Sequence, residues 1–160
     1  MTGPSADFWA TLPRKRVAAA VLFTDGDGRV LLVEPTYKEH WEVPGGSVEV
    51  NEAPYAAAVR EVKEELGLSI APGRLLIIDW APPLPGRPDG IMLLFDGGVL
   101  GPDATADIRL PPDELRSWAW CTPAEISLRA SGLLARRLAA SLRALDSGET
   151  AYLENGDPIR

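Results

Sequence analysis

The chain has 160 residues, 46% hydrophobic and 24% charged, a composition typical of one globular domain. Its net charge of −7 disfavours a groove for DNA or RNA polymers, because such grooves are built from clustered lysine and arginine. A single cysteine excludes an intrachain disulfide, and no stretch approaches the roughly 20 apolar residues of a membrane span. We therefore expect one cytoplasmic domain over residues 1–160 with a small-molecule partner, no nucleic-acid polymer and no membrane; homodimerisation is left open.

The first predicted elements are a loosely held arm over residues 1–13 and a buried hairpin over residues 16–34. The hairpin turn is marked by TDGDG, and apolar segments flank it on both sides. Residues 54–66 have helical periodicity. This helix is expected to begin at Pro54, since proline is allowed in the first turn, and to stop at Gly67, a typical left-handed end.

The later part of the chain predicts further strands and a closing helix. The segments RLLIIDW, IMLLFDGGVL and SWAWC are apolar, as expected of strands, whereas APPLPGRPDG is rich in proline and glycine and predicts a loop. GLLARRLAASLRALDSG has leucines at near-helical spacing, with arginines opposite, which predicts the closing helix. Strands and helices in this order predict an α/β fold, with a mixed sheet between helices in an α/β/α sandwich.

The helix predicted over residues 54–66 has two unlike faces. At about 100° per residue, its apolar residues gather on one face, which we expect in the core: Tyr55, Ala58, Val59, Val62 and Leu66. Glu61, Glu64 and Glu65 are expected on the opposite side, with Arg60 at the flank. Like charges at this spacing repel, so local stability does not explain the cluster. A bound divalent cation does, because Mg²⁺ takes carboxylate oxygens as ligands.

The same stretch carries a family resemblance. From Gly46 to Leu68 the chain reads G, five residues, E, seven residues, then R-E-apolar-x-E-E-x-G-apolar. This pattern resembles the complete Nudix box of the Nudix hydrolases, to which MutT belongs. WEVPGG before the box and PPDELRSWAW after it are also familiar in that family. The resemblance implies an α/β/α fold and Mg²⁺-dependent hydrolysis of a diphosphate linkage in a nucleoside diphosphate joined to another group, such as a sugar.

The resemblance also implies a metal site. Glu61, Glu64 and Glu65 are its expected side-chain ligands, and the backbone carbonyl of Gly45 completes it. The expected ion is Mg²⁺, with Mn²⁺ as a substitute. Glu61 is either a ligand or the general base for the attacking water, and Arg60 is expected to orient the carboxylates because its planar fork can hold two acids.

Three further residues of the box are expected to support this site. Glu52 is expected near Arg60 as a second acid for its fork. Gly46 lies in the loop GGSVEVN, where glycine permits close backbone approach to the helix. Gly67 ends the helix.

Candidates outside the box each have a competing interpretation. Glu114 is expected to reach the metal site as ligand or base, by resemblance, or else to be a solvated loop residue; Asp113 is its weaker rival. Trp41 and Trp80 are candidates for stacking on a nucleobase, although large aromatic residues are more often part of a core. The basic run at residues 14–16 either touches phosphate or is a solvated charge run.

Three functions remain open. The first is hydrolysis of a nucleoside diphosphate derivative of the ADP-ribose type, at which Pro83 hints weakly because family members with that substrate have a proline there. The second is MutT-like pyrophosphohydrolysis of damaged nucleoside triphosphates. The third, a non-catalytic nucleotide-sensing domain, is disfavoured because a sensor does not need every carboxylate of the box.

Overall fold

The structure, a computed structural model, describes residues 3–159. Its helices and strands, in chain order, are α1 (Ala6–Thr11), β1 (Arg16–Thr24), β2 (Val30–Pro35), β3 (Gly45–Ser47), α2 (Pro54–Leu66), β4 (Leu75–Ala81), β5 (Gly90–Val99), α3 (Pro102–Ala106), β6 (Leu115–Cys121), α4 (Pro123–Arg129), α5 (Gly132–Ser147), β7 (Ala151–Glu154) and β8 (Asp157–Pro158). The strands form one sheet in the order β6-β2-β1-β5-β4-β7-β8, with β3 paired to β1. Two neighbouring pairs, β1 with β5 and β4 with β7, are parallel, and the others are antiparallel. The predicted mixed sheet is confirmed.

Two buried apolar clusters cover the two faces of this sheet. Alternate residues of β1 contribute to them, because successive side chains of a strand point to opposite faces: Val21 and Phe23 join the cluster under α2, whereas Leu22 joins the cluster under α4 and α5. Leu138 of α5 is fully buried in that second cluster. Helices therefore lie on both faces, and the predicted α/β/α sandwich is confirmed.

Helix α2 has the predicted bounds, but its buried face differs from the prediction. It begins at Pro54 and ends before Gly67, whose φ of 73° is left-handed. Its buried residues are Ala57, Ala58, Val62 and Leu66. Tyr55, predicted in the core, is 42% exposed, and Val59 is half-buried. Helix α2 packs against β1 and β3 of the sheet. Two predicted outward carboxylates, Glu61 and Glu65, are consequently half-buried rather than solvated.

The predicted hairpin forms, but its strands pair with each other only at the turn, where Thr24 is opposite Val30. Further along, the segment 42–47 lies between them. On one side Glu42 exchanges two backbone hydrogen bonds with Val33 of β2, at 2.8 and 3.0 Å. On the other side β3, the end of the segment, pairs with β1. This insertion brings the paired glycines of WEVPGG beside α2.

The sequence analysis did not predict α1, β3, α3, β7 or β8. No residue of α1 is buried, although it contains Phe8 and Trp9, which are 46% and 56% exposed. The first two residues of the predicted arm lie outside the described residues. Helix α5 does not close the fold, because β7 follows it and extends the sheet beside β4. No helix within residues 3–159 is both long and apolar enough to cross a membrane. That the chain is one domain stays a prediction.

Candidate active site

Gly45 sits where no other residue fits. A Cβ atom at this position would lie 2.4 Å from the Cβ of Ala20 and 2.5 Å from the backbone oxygen of Ala19. Both neighbours belong to β1, in the middle of the sheet, and neither can move aside. The close approach of β3 to β1 therefore requires glycine.

Gly46 plays the same part toward the helix. A Cβ atom here would lie 2.4 Å from Oε1 of Glu61, so the Glu61 carboxylate rests against the bare Cα of Gly46. The paired glycines thus let the 42–47 segment fit between the sheet and the acidic side of α2. Sequence reasoning predicted this close approach.

The register of β3 fixes the direction of the Gly45 backbone groups. The Val21 N–H donates to the carbonyl of Pro44 at 2.9 Å, so the adjoining pair of Ala20 and Gly45 is a non-hydrogen-bonded pair of the antiparallel ladder. The N–H and C=O of Gly45 consequently face away from β1. The N–H donates to Oε2 of Glu65 at 2.9 Å. The carbonyl therefore lies on the same side as the helix acids, as a ligand would.

Arg60 connects three of the acids. It donates to both carboxylate oxygens of Glu52, at 2.8 and 3.0 Å, which fixes the plane of its guanidinium group. It also donates to Glu61 at 2.9 Å and to Glu64 at 3.2 Å. A further bond to the Ser47 carbonyl, 3.1 Å, joins it to β3. Arg60 therefore lies within hydrogen-bond distance of Glu52 and Glu61, the two acids that the sequence analysis expected near it.

The electrostatics of the cluster follow from this geometry. The hydrogen bonds from Arg60 lower the pKa of Glu52 to about 2, and Glu52 in turn raises the pKa of Arg60 above its ordinary range. Burial raises the pKa of Glu61 despite the neighbouring arginine. Burial, with the charges of Glu61 and Glu114, raises the pKa of Glu65 to about 8. One arginine does not compensate the acids around it.

The donor chemistry of these residues fits a hard divalent cation, since carboxylate and backbone carbonyl oxygens are the ligands such ions prefer. The side chains are not yet gathered: within residues 3–159, no group of three or more His, Cys, Asp or Glu side chains is arranged to hold a metal ion. Arg60 holds Glu61 and Glu64, and the Gly45 N–H holds Glu65. The Glu64 side chain is 56% exposed, and its bond to Arg60 is the longest of these at 3.2 Å.

Glu114 lies on the loop before β6, on the same side as the cluster. Its charge contributes to the raised pKa of both Glu61 and Glu65, so its carboxylate is near them. Its backbone is held in place, because its carbonyl accepts from the Thr36 N–H at 2.8 Å. Asp113 is exposed and contributes to neither shift.

A cavity of about 290 Å³ opens beside these residues, and we call it the substrate cavity. Its lining includes Gly45, Gly46 and Glu65 at one end. Sequence reasoning missed several other lining residues, because nothing in the local sequence marks them as neighbours of the box: Tyr37, Lys38, Glu42 and Arg87. Arg16 also lines it, from the basic run that was considered for phosphate contact.

The two tryptophans proposed for base stacking have other contacts. The Trp41 ring lies 4.6 Å from the guanidinium carbon of Arg129, and Nε1 of Trp80 donates to Asp89 at 3.0 Å. Neither tryptophan lines the substrate cavity. Among the described residues, the aromatic side chain that lines it is Tyr37. Stacking by Trp41 or Trp80 stays a prediction.

Comparison with known proteins identifies relatives. A family model described as NUDIX domain matches residues 14–142. Diphosphoinositol polyphosphate phosphohydrolase 3-alpha of Mus musculus is 45% identical over 64 residues, which cover 39% of this chain and 39% of that protein. The chain thus matches well under half the length of this relative.

Solved structures show the same fold. The MutT protein from Methanosarcina mazei Go1 superposes with a TM-score of 0.68 at 22% identity, covering 88% of this chain and 100% of that one. An ADP-ribose pyrophosphatase from Streptococcus suis 89-1591 superposes with a TM-score of 0.63 at 22% identity, covering 88% and 99%. At these identities the likeness concerns the fold alone.

Proposed function

The chain belongs to the Nudix hydrolase family, and on that premise we propose that it hydrolyses a diphosphate linkage in a nucleoside diphosphate joined to another group, with Mg²⁺ as cofactor. One observation carries the proposal. Glu52, Glu61 and Glu64 share Arg60, while Glu65 is half-buried without a cationic partner within residues 3–159. Like charges gathered on a half-buried surface destabilise the fold unless a cation joins them.

The proposed ligands are Glu64, Glu65 and the Gly45 carbonyl, and Glu61 is either a further ligand or the general base. When bound, Mg²⁺ stabilises the negative charge that develops on the phosphoryl oxygens. Mn²⁺ is the proposed substitute, because it takes the same oxygen donors.

The chain itself supplies orientation and a base. Arg60 fixes Glu61 through a 2.9 Å hydrogen bond, and Glu52 fixes Arg60 in turn. Glu61 is our proposed base: it accepts a proton from the attacking water, which must approach within hydrogen-bond reach of the carboxylate. Glu114 is the alternative base. Since it lies on a loop, its position relative to the substrate depends on how that loop closes.

The proposal is tested by a substrate screen with product identification. The screen contains nucleoside diphosphate sugars, including ADP-ribose, together with dinucleotides and oxidised nucleoside triphosphates. It also contains diphosphoinositol polyphosphates, because the relative from Mus musculus is a diphosphoinositol polyphosphate phosphohydrolase. We expect hydrolysis of a diphosphate linkage that requires a divalent cation. Undiminished turnover in excess chelator would contradict the metal assignment.

The same screen decides among the alternatives. Preference for oxidised triphosphates, with release of diphosphate, would favour the MutT-like function. Nucleotide binding with no turnover of any compound in the presence of Mg²⁺ or Mn²⁺ would favour the sensing domain. Glu149→Gln is the matched control for the site variants described below, because Glu149 is exposed and lies after α5, away from the cluster.

A further inference from the structure

A second, smaller cavity of about 80 Å³ adjoins the substrate cavity and shares Arg16, Ala18, Arg87 and Met92 with it. Three arginines line this second cavity, Arg16, Arg87 and Arg137, and we call it the arginine cavity. Its other lining residues are small or apolar: Ala18, Ala81, Gly90, Ile91 and Met92. No acidic residue in the described part of the chain lines it.

Arg87 is presented by a rigid turn. Leu84 and Arg87 exchange two backbone hydrogen bonds, each 2.9 Å long, across Pro85 and Gly86. Proline followed by a glycine with φ of 73° is the sequence that a type II turn requires. The Arg87 side chain is exposed and makes no hydrogen bond or ion pair with any of residues 3–159. A fixed backbone thus holds a cation that has no structural partner.

Arg16 and Arg137 are positioned by other contacts. The Nε of Arg16 donates to the Pro88 carbonyl at 3.0 Å, and a Cβ at Gly90 would lie 3.1 Å from its Nη2, so glycine leaves room for the guanidinium group. The Nε of Arg137 donates to Asp79 at 2.6 Å. For the terminal nitrogens of Arg137, the structure records no hydrogen bond to another described residue.

Arg16 and Arg87 have no ion-pair partner within residues 3–159, whereas Arg137 is paired with the fully buried Asp79. Cations that converge on one cavity repel one another, as the acids of α2 do. The acid on the same loop, Asp89, does not line the cavity; it is engaged by Lys15 and by the indole N–H of Trp80. In a chain of net charge −7, this local excess of positive charge points to an anionic ligand.

We propose that Arg16, Arg87 and Arg137 form a subsite for a phosphate group that the substrate carries in addition to its scissile diphosphate. Planar guanidinium groups match the oxygens of a phosphate monoester, and the two cavities adjoin, with four lining residues in common, so one molecule can contact both. The substrate class is accordingly a diphosphate compound with a further phosphate. This inference rests on the proposed function, which places the diphosphate at α2.

The test is a calorimetric titration with inositol hexakisphosphate, which carries phosphate monoesters but no diphosphate linkage. Excess chelator keeps the carboxylate cluster free of divalent cations. We expect binding to the wild type and a dissociation constant at least about tenfold higher for Arg16→Gln and for Arg87→Gln, since charge-assisted hydrogen bonds are lost. Arg143→Gln is the control, because it removes the same charge from an exposed position on α5 outside both cavities.

Three outcomes would overturn the subsite. They are no binding to the wild type, equal weakening in Arg143→Gln, and saturation by inorganic phosphate at the same concentration, which would assign the cavity to the free ion. Failure of the proposed function has a different signature. If binding depends on the arginines but no diphosphate is hydrolysed with Mg²⁺, the subsite is supported and the proposed function is refuted. If phosphate-bearing substrates are hydrolysed equally well by Arg16→Gln, Arg87→Gln and the wild type, the proposed function is supported and the subsite is refuted.

Discussion

Two clusters of charge in this molecule are built in opposite ways. On the second face of the sheet, Asp79 is fully buried and both its oxygens are satisfied, by Nε of Arg137 at 2.6 Å and by the Gly156 N–H at 2.7 Å. On the first face, Glu52, Glu61 and Glu64 share Arg60. In the Asp79–Arg137 pair each charge has one opposite charge, whereas around Arg60 three carboxylates share one cation.

The difference separates structural charge from functional charge. A buried pair whose hydrogen bonds are complete needs no further partner, and the loss of either member leaves an uncompensated buried charge. An uncompensated cluster weakens the fold and persists where a ligand completes it. Variants of the two clusters should therefore affect different measurements: the free energy of unfolding for Asp79, and turnover for the glutamates of α2.

The largest expected effect is on stability, at Asp79. Replacing it in Asp79→Ala leaves the partly buried Arg137 without its acid and the Gly156 N–H without an acceptor. We expect a loss of about 3–5 kcal/mol in the free energy of unfolding, measured by urea denaturation. Asp146→Ala, at an exposed position of α5, is the control and should change it by less than about 0.5 kcal/mol. Equal losses in the two variants would remove the distinction between the clusters.

The next effect is on turnover, at Glu65. Glu65→Gln removes a proposed ligand, so we expect turnover to fall at least about 100-fold, or about 2.7 kcal/mol in barrier. The free energy of unfolding should stay the same or rise, because glutamine carries no carboxyl group whose charged form is disfavoured by burial. Glu149→Gln should retain full turnover. Undiminished activity of Glu65→Gln would refute its assignment as a ligand.

A smaller effect distinguishes the two candidate bases. Glu61→Gln and Glu114→Gln should both slow turnover, with the larger loss at Glu61 by about tenfold, or about 1.4 kcal/mol in barrier. The reason is that Arg60 fixes Glu61 on a helix, whereas Glu114 lies on a loop. Metal affinity must be measured alongside, because a weakened metal site imitates a missing base. If, at saturating Mg²⁺, Glu114→Gln abolishes turnover while Glu61→Gln keeps most of it, the base is Glu114 on the loop.

The smallest effect is the response of the whole fold to Mg²⁺. The ion should raise the melting temperature more than NaCl of equal ionic strength, because it binds the folded cluster. A gain of about 1 kcal/mol corresponds to about 2–4 °C in a chain of this size. Glu65→Gln should reduce the difference between the salts, and Asp79→Ala should leave it unchanged. Equal shifts in both salts for the wild type would count against a metal site.

The sequence by itself determined α2 and the identity of its charged residues. Pro54 and Gly67 mark its ends because a missing N–H and a left-handed φ are local properties of those residues. The spacing of the acids and the family pattern likewise belong to one contiguous stretch, and the match to the family model extends over residues 14–142.

Only the tertiary structure decided what surrounds that helix. The 42–47 segment separates β1 from β2, a placement that depends on hydrogen bonds between distant parts of the chain. The same segment places Gly45 beside Glu65, whose Oε2 accepts from the Gly45 N–H. Tyr55 is 42% exposed, and its hydroxyl donates to the Pro72 carbonyl at 2.7 Å. Arg16 and Arg87 lie far apart in sequence, and they line one cavity because β1 runs parallel to β5, with Arg16 opposite Gly90. Strand pairing over such separations is set by the packing of the whole sheet, and no local pattern encodes it.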